Sequence, residues 1–540
     1  MTLHIQVRPL RGSTLVEDYL RGEGKAAPYF EGRPFDVESY REKLAEVRGR
    51  FDRAARERVA AAVRPTSARA AERLRDFVEN GGAVVTTGQQ AGLFGGPLYT
   101  VHKILTAVRL AEALERELGE IVLPVFWIAS EDHDFNEVRH VEAVDGRGTL
   151  RSFSVAATDP HAAPMSDMKL GQDVESAVDE IAHLLSEHGD ADACIKQIRD
   201  AYQPDVTVAD AFRALTESLF SDFDVLVTDA ADPAVKEASV HVLLGEAEHA
   251  AEHERLVRER SDALAADGYV TQVVVVPETA NLFFHGPRGR ERLVRKDGAW
   301  LAPEARVRFS DGELAEAIRN DPRSFSPNVF LRPVVESAVF PTLAYVGGPA
   351  ETAYFAQIGP LFRAFGIRAP VVFPRFSATI APSEAEETLG DLGLDMADLA
   401  PPLHEVLHRV ARDRVPAAVA DGLAALRASI VDRYAALMDA AGQIDPTVSQ
   451  ALGSARNRAL LGVSDAEQKI LRQLKRRDAG LLRAVEVARN HLRPNGVPQE
   501  RVLNVFPYLA EYGPSLLRDL AEQMTVTFSE TAARAESTAA

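Results

Sequence analysis

The stretch from Thr86 to His140 constrains the fold more than any other part of the chain. It reads TTGQQAGLFGGPLYTVHKILTAVRLAEALERELGEIVLPVFWIASEDHDFNEVRH. An apolar strand at Ala83–Val85 runs into a loop holding Gly88, Gly92, Gly95 and Gly96. At Pro97 the loop opens into a helix of about 20 residues, judged by its apolar period. A second apolar strand, Ile121–Ala129, ends in the cluster Glu131-Asp132-His133-Asp134. Parallel strands joined by a helix place ligands at their carboxyl ends, where the glycines and the acids both fall. A small-molecule site is expected there.

The chain has 540 residues, enough for about three or four domains or one large α/β core with insertions. Hydrophobic residues make up 46%, ample for a buried core. Lys and Arg number 61 against 80 Asp and Glu, a net charge of −19 that argues against nucleic acid and anionic membrane as partners. Cys194 is the single cysteine, so neither an intrachain disulfide framework nor a multi-cysteine metal site can form. The opening MTLHIQVRPLRG lacks the apolar run of a signal peptide, and no stretch has 18 consecutive apolar residues. A cytoplasmic protein is expected.

Along the chain, 1–80 reads as mainly helical and charged, and 81–150 as the first half of an α/β core. Residues 151–325 read as an inserted α/β region, with strands at Asp224–Thr228 and Thr271–Val276 and a strand–turn–strand in NLFFHGPRGRERLV. Residues 326–384 carry the second half of the core, in which AVFPTLAYVGGPAETAYFAQIGPLFRAFG gives strand, Gly-Gly-Pro turn and helix, followed by the strand Val371–Pro374. From 385 to 528 the pattern is helical. Val419, Leu423, Leu426, Ile430 and Leu437 form one stripe, and Val463, Ile470, Leu474, Leu481, Val485 and Leu492 a second, in the manner of a coiled-coil hairpin turning near Gly442–Pro446. Residues 529–540 are small and polar and are expected to be disordered.

Three constellations carry candidate chemistry. The glycine loop matches neither the dinucleotide fingerprint nor a Walker A loop, yet its glycines let a ligand approach and leave helix N-terminal amides for an anion. His102 and Lys103 follow in the helix, where a histidine can stabilise developing charge. The acidic cluster, packed after a buried strand, needs a cation, an ammonium group or a proton to offset it. Asn328, Arg332, Glu336, Glu351, Tyr354 and Gln357 form a third set, with Arg332 a candidate carboxylate fork and Arg375 and Ser377 beyond the last strand.

The blocks GQQAGLFGGPLYTVHK, PVFWIASEDHDFNEV, SPNVFLRPVVESAVFPTLAYVGGPAETAYFAQ, PVVFPRFS and LRPNGVPQERVLNVFPYLAEYG resemble, in order and over nearly the full length, the bacillithiol biosynthesis cysteine-adding enzymes, the BshC family of cysteine ligases. The resemblance implies an α/β fold. Its Rossmann-like core would be related to class I nucleotidyltransferases, with inserted segments, a C-terminal helical coiled-coil arm and a homodimer to which the coiled coil contributes. The implied reaction adds L-cysteine to glucosamine-malate through an amide between the cysteine carboxyl and the sugar amine, the last step of bacillithiol biosynthesis. ATP with Mg²⁺ is the candidate source of activation, and no permanent cofactor is expected. In class I relatives a histidine motif at this loop stabilises adenylyl transfer. GPLYTVHK carries only its last histidine, with Tyr99 three residues earlier, and no lysine-serine signature stands near Arg375 to Ser377.

On that basis His102, with the loop amides, would stabilise charge on the cysteine carboxyl. Asp132, His133 and Asp134 would orient the amine and take its proton. Substrate- or nucleotide-binding residues are expected at Gly88, Gln89, Gln90, Gly95, Gly96, Tyr99, Asn328, Arg332, Glu351, Tyr354, Gln357, Arg375 and Ser377, with Arg332 or Arg375 on the malate carboxylates. None is assigned as a metal ligand. The rival readings are a ligase for another amino acid and amine, a metal-dependent hydrolase built on Glu131–Asp134, and a non-enzymatic coiled-coil scaffold.

Overall fold

In the computed structural model, residues 3–156, 163–186 and 188–528 are described, so the expected disordered tail lies outside them. The chain divides into two compact units. One comprises Ile5–Ala143, Arg151–Thr379 and the segment from Glu500; the other is chiefly Ile380–Gln499 with Val144–Leu150.

The first unit is organised by a six-stranded sheet. Its strands are β1 (Arg64–Pro65), β2 (Ala83–Gln89), β3 (Val122–Ile128), β4 (Leu226–Asp229), β10 (Thr342–Gly347) and β11 (Val371–Pro374). They lie in the order β11-β10-β2-β3-β4-β1. Five are parallel and β1 closes the edge antiparallel. β2 and β3 pair from Ala83↔Val122 to Gln89↔Ile128. Both are buried almost throughout, which is why they read as continuous apolar runs rather than alternating ones. Between them runs α1 (Tyr99–Leu118), closed by Gly119 in the left-handed conformation. Thirteen of its 20 residues are buried; residues 100–108 are buried on every face, while Arg109, Glu112 and Arg116 keep one strip of the second half toward solvent.

The two sequence halves do share one sheet, but the region between them is more than an insertion. It supplies β4, parallel to β3, because the apolar Leu226–Thr228 is buried on both faces there. It also supplies α2 (Pro233–Ala266) and an antiparallel sheet of β5 (Thr279–Gly286), β6 (Gly289–Lys296), β7 (Ala299–Ala302), β8 (Val307–Phe309) and β9 (Phe325–Pro327). Its order is β8-β7-β6-β5-β9. The expected strand at Thr271–Val276 does not form. Val274 is 80% exposed, and the Gln357 side chain takes the place of a neighbouring strand, accepting from the Gln272 and Val273 amides and donating to the Val273 carbonyl. Helices α3 (Arg332–Val339) and α4 (Pro349–Ala364) flank β10.

The second unit is helical. α5 (Ala417–Gly442) and α6 (Pro446–Arg477) form an antiparallel hairpin, with Arg427 bonded to Glu467 and Arg414 to Asp478. The second stripe is not one helix. It breaks at Asp478, which bonds Arg414 and Arg477, and restarts as α7 (Ala479–Leu492). After this unit the chain returns to the first one. Phe528 is buried there, edge-on to Tyr40 at 5.5 Å. No helix among the described residues is long and apolar enough to cross a membrane.

Candidate active site

The strand order reverses between β2 and β10, and there a cavity of about 810 Å³ opens at the carboxyl ends of the strands. Gly88 and Gln89 of β2, Trp127 of β3, Gly348 after β10 and Arg375 after β11 line it. Arg290 and Arg292 of β6, Arg332 of α3, Tyr354 of α4 and Arg501 close its sides. Lys103, Arg290, Arg292, Arg332, Arg375 and Arg501 face Glu131, Asp132, Glu137 and Glu351, so the lining is cationic in a chain of net charge −19.

Lys103 stands at the base, 3% exposed. Its ammonium donates to the Gly88 carbonyl at 2.6 Å and pairs with Glu351 at 2.7 Å. Burial pulls the Lys103 pKa down. Burial would raise that of Glu351, but Lys103 and the bonds from Tyr345 and the Gly348 amide outweigh it and hold the carboxyl below its usual range. Arg332 pairs with Glu336 at 3.2 Å and donates to Tyr354 at 2.6 Å, so it is partly spent inside the protein and is not a free fork. Glu336 in turn accepts from Thr86, and burial raises its pKa.

The acidic cluster is dispersed by the turn that follows β3. Glu131 turns to Lys236. Asp132 lines the cavity and accepts from Gln90 at 2.7 Å and from the His133 amide at 2.7 Å. Burial would raise its pKa, yet these bonds and Arg290 keep it low. His133 Nδ1 lies 3.6 Å from Asp132 and 3.5 Å from Arg290, just outside the lining. Asp134 is exposed at the start of a four-residue helix. Among the described residues, no group of three or more His, Cys, Asp or Glu is arranged to hold a metal ion.

Two expectations change at the glycine loop. Its amides are consumed internally: Gly92 donates to Gln90, Gly95 to Gly92, Gly96 to Leu93, and Leu98 to the Leu503 carbonyl. Gly95 and Gly96 therefore offer no anion cradle. They are glycines because the turn needs positive φ, 85° and 73°. His102 is fully buried behind the cavity wall, with Nδ1 3.1 Å from Glu500 and Nε2 without a partner among the described residues. Glu500 also receives Arg375 at 2.6 Å and Ser377 at 2.8 Å. His102 and Ser377 thus touch the site only through Glu500.

Of the other expected residues, Gln89 donates to the Tyr99 hydroxyl at 3.0 Å, and both line the cavity. Asn328 lines it as well, but its side chain bonds Asn281 and the Phe330 and Leu331 amides at the start of α3. Gln357 is fully buried, spent on the 272–273 backbone. Sequence reasoning missed Arg290, Arg292, Glu500 and Arg501. Arg290 stacks on Phe283, 3.8 Å from the ring centroid. Arg292 and Arg501 have no ion-pair or hydrogen-bond partner among the described residues, and both line the cavity. The alternation in RGRER and the ER pair in VPQERVLN were the available signals.

Residues 1–376 match the family described as bacillithiol biosynthesis BshC, N-terminal Rossmann-like domain, and residues 378–529 its C-terminal coiled-coil domain. Proteins named "Putative cysteine ligase BshC" align along nearly the whole chain. That of Chlorobaculum tepidum is 31% identical over 520 residues, 94% of this chain and 89% of its own length. That of Geobacillus thermodenitrificans is 31% identical over 538 residues, 96% and 97%. That of Koribacter versatilis is 31% identical over 516 residues, 94% of each. With both domains matched in order along the chain, it belongs to the bacillithiol biosynthesis BshC family.

Proposed function

We propose that this protein is a ligase that joins the carboxyl of L-cysteine to the amine of glucosamine-malate, the last step of bacillithiol biosynthesis. The observation that carries the reading is the cationic lining with two guanidinia, Arg292 and Arg501, that have no ion-pair or hydrogen-bond partner among the described residues. A dicarboxylate such as the malyl group supplies the partners these side chains lack, and a guanidinium forks onto carboxylate oxygens. Gln89, Gln90 and Tyr99 offer amide and hydroxyl groups suited to sugar hydroxyls.

The amine must be neutral to attack, and amide formation releases a proton. Asp132 is held ionised and accepts a hydrogen bond from the amine, orienting it. A carboxylate kept below its usual range is a weak base, so Asp132 holds the proton only in passing and relays it to His133, whose Nδ1 lies 3.6 Å from Asp132. The cysteine carboxyl loses one oxygen with the group that activates it. In this reading ATP with Mg²⁺ supplies that activation, and Arg375 is the cation placed to meet phosphate charge. A homodimer is part of the same proposal: Leu426, Leu437, Ile444 and Leu461 of the helical unit are exposed, and a second copy would cover them.

The test is a mass-spectrometric assay of purified protein with cysteine and glucosamine-malate, with and without ATP and Mg²⁺. The amide product, formed only with ATP and accompanied by AMP or ADP, is the expected result. Metal-dependent hydrolysis of glucosamine-malate in place of condensation would sink the ligase reading.

A further inference from the structure

We infer that Glu500 is a positioning residue of the site, fixing the Arg375 guanidinium at the cavity wall so that Arg375 meets a substrate anion. The inference rests on the ligase reading and deepens it. Glu500 is 4% exposed, and both of its oxygens are committed: one to Arg375 at 2.6 Å, the other to Ser377 at 2.8 Å and His102 at 3.1 Å. Of these four residues only Arg375 lines the cavity. Its guanidinium is held from behind by Glu500, from the side by the Phe376 carbonyl at 3.0 Å, and beside the Tyr99 ring at 5.8 Å.

Burying a carboxylate and a guanidinium costs about as much as the pair returns, and an apolar pair of equal volume would stabilise the fold as well or better. What an apolar pair cannot do is aim a cation. The chain places the group with economy. Glu500 turns inward to the pair while its neighbour Arg501 lines the cavity, so one peptide sets one cation from behind and supplies another in front. His102, the one histidine of the helix after the glycine loop, bonds the same carboxylate. It therefore acts on the cavity through Glu500 and Arg375.

The test uses the full chain with Glu500→Gln, Arg375→Gln and the double variant, assayed for product from cysteine and glucosamine-malate with ATP and Mg²⁺, each substrate varied in turn. Gln keeps the shape of Glu500 and removes its charge. A residue that serves folding alone lowers the fraction of active protein, cutting kcat and leaving KM unchanged. A positioning residue raises KM for the anionic substrate, here by about 10- to 100-fold, the usual range for residues that orient a binding group. Because Glu500 acts through Arg375, the double variant should be no worse than Arg375→Gln alone. If Glu500→Gln does not fold, Glu500→Asp is read the same way, since it keeps the charge but withdraws it by one methylene. Unchanged KM in the folded variant, or losses that multiply in the double variant, would overturn the positioning role. No product from the wild-type chain under any condition would overturn the ligase reading and this role with it; product from wild type and equally from Glu500→Gln would overturn the role alone.

Discussion

Lys103 and Glu351 show how closely stability and site are joined at single residues. Lys103 is buried with Glu351 as its only carboxylate partner among the described residues, so Lys103→Met leaves Glu351 charged and without its cation beneath the cavity. The expected cost is about 3–5 kcal/mol, read from urea unfolding, and Lys103→Met with Glu351→Gln should recover much of it. Arg292 is the opposite case. Its guanidinium lies 5.4 Å over the Phe283 ring and has no ion-pair or hydrogen-bond partner among the described residues, so Arg292→Gln strands no charge, should cost no more than about 1 kcal/mol in unfolding and should weaken glucosamine-malate binding about 10-fold by calorimetry, the value of one charged hydrogen bond. Glu500 has a pH signature. Its neighbours outweigh burial and hold its pKa down to about 2, against an ordinary 4.5. A depressed carboxyl stabilises the fold fully above its ordinary pKa and loses that contribution as pH falls through the depressed one. The stability gap between wild type and Glu500→Gln should therefore shrink by on the order of 3 kcal/mol between pH 4.5 and 2, measured by denaturant titration at each pH.

At the level of elements, the glycine loop owes its shape to a distant residue. Asn504 donates to the Phe94 and Gly96 carbonyls at 2.8 and 2.9 Å, and a Cβ on Gly92 would come within 2.8 Å of the Gly96 Cα. Asn504→Ala releases both carbonyls. It should cost about 1–3 kcal/mol and speed amide hydrogen exchange across residues 92–98, read by mass spectrometry. Unchanged exchange there would mean that the loop holds itself. The βαβ unit around this loop was legible in the sequence because a parallel strand buried on both faces is continuously apolar, as in Val122–Ile128. The run Thr271–Val276 carries the same local signal and forms no strand, since a side-chain amide meets its backbone there. Local pattern cannot report such a substitution.

Across the whole molecule, the helical unit Ile380–Gln499 leaves the first unit at Thr379 and hands the chain back at Glu500. The 2.8 Å bond between Ser377 and Glu500 brings the two connections together. A chain ending at Thr379 loses Glu500, Asn504 and the buried Phe528, and should lack a cooperative melting transition. Replacing 380–499 by a short Gly-Ser linker should restore one, by calorimetry. Failure of the linked chain to fold would show that the first unit depends on the helical one. Sequence alone placed the helical region at 385–528; the structure returns its last part, from Glu500, to the first unit because those residues find their hydrogen-bond and core partners there.

By itself the sequence determined the parallel sheet, the glycine turn after its second strand, the helical hairpin and the family, because each is written in patterns a few residues to a few turns long. It also brought out Gln89, Gln90, Tyr99, Asp132, Arg332, Glu351, Tyr354 and Arg375, all of which the fold gathers at one cavity. Only the tertiary structure decided which charges are spent and which are free. Arg375 is held by Glu500, 125 positions away, while Arg292 has no ion-pair or hydrogen-bond partner among the described residues, and nothing near either residue in the chain tells them apart. It also set His102 behind Glu500, a residue nearly 400 positions away, since hydrogen bonds form between neighbours in space and a local pattern carries no record of them.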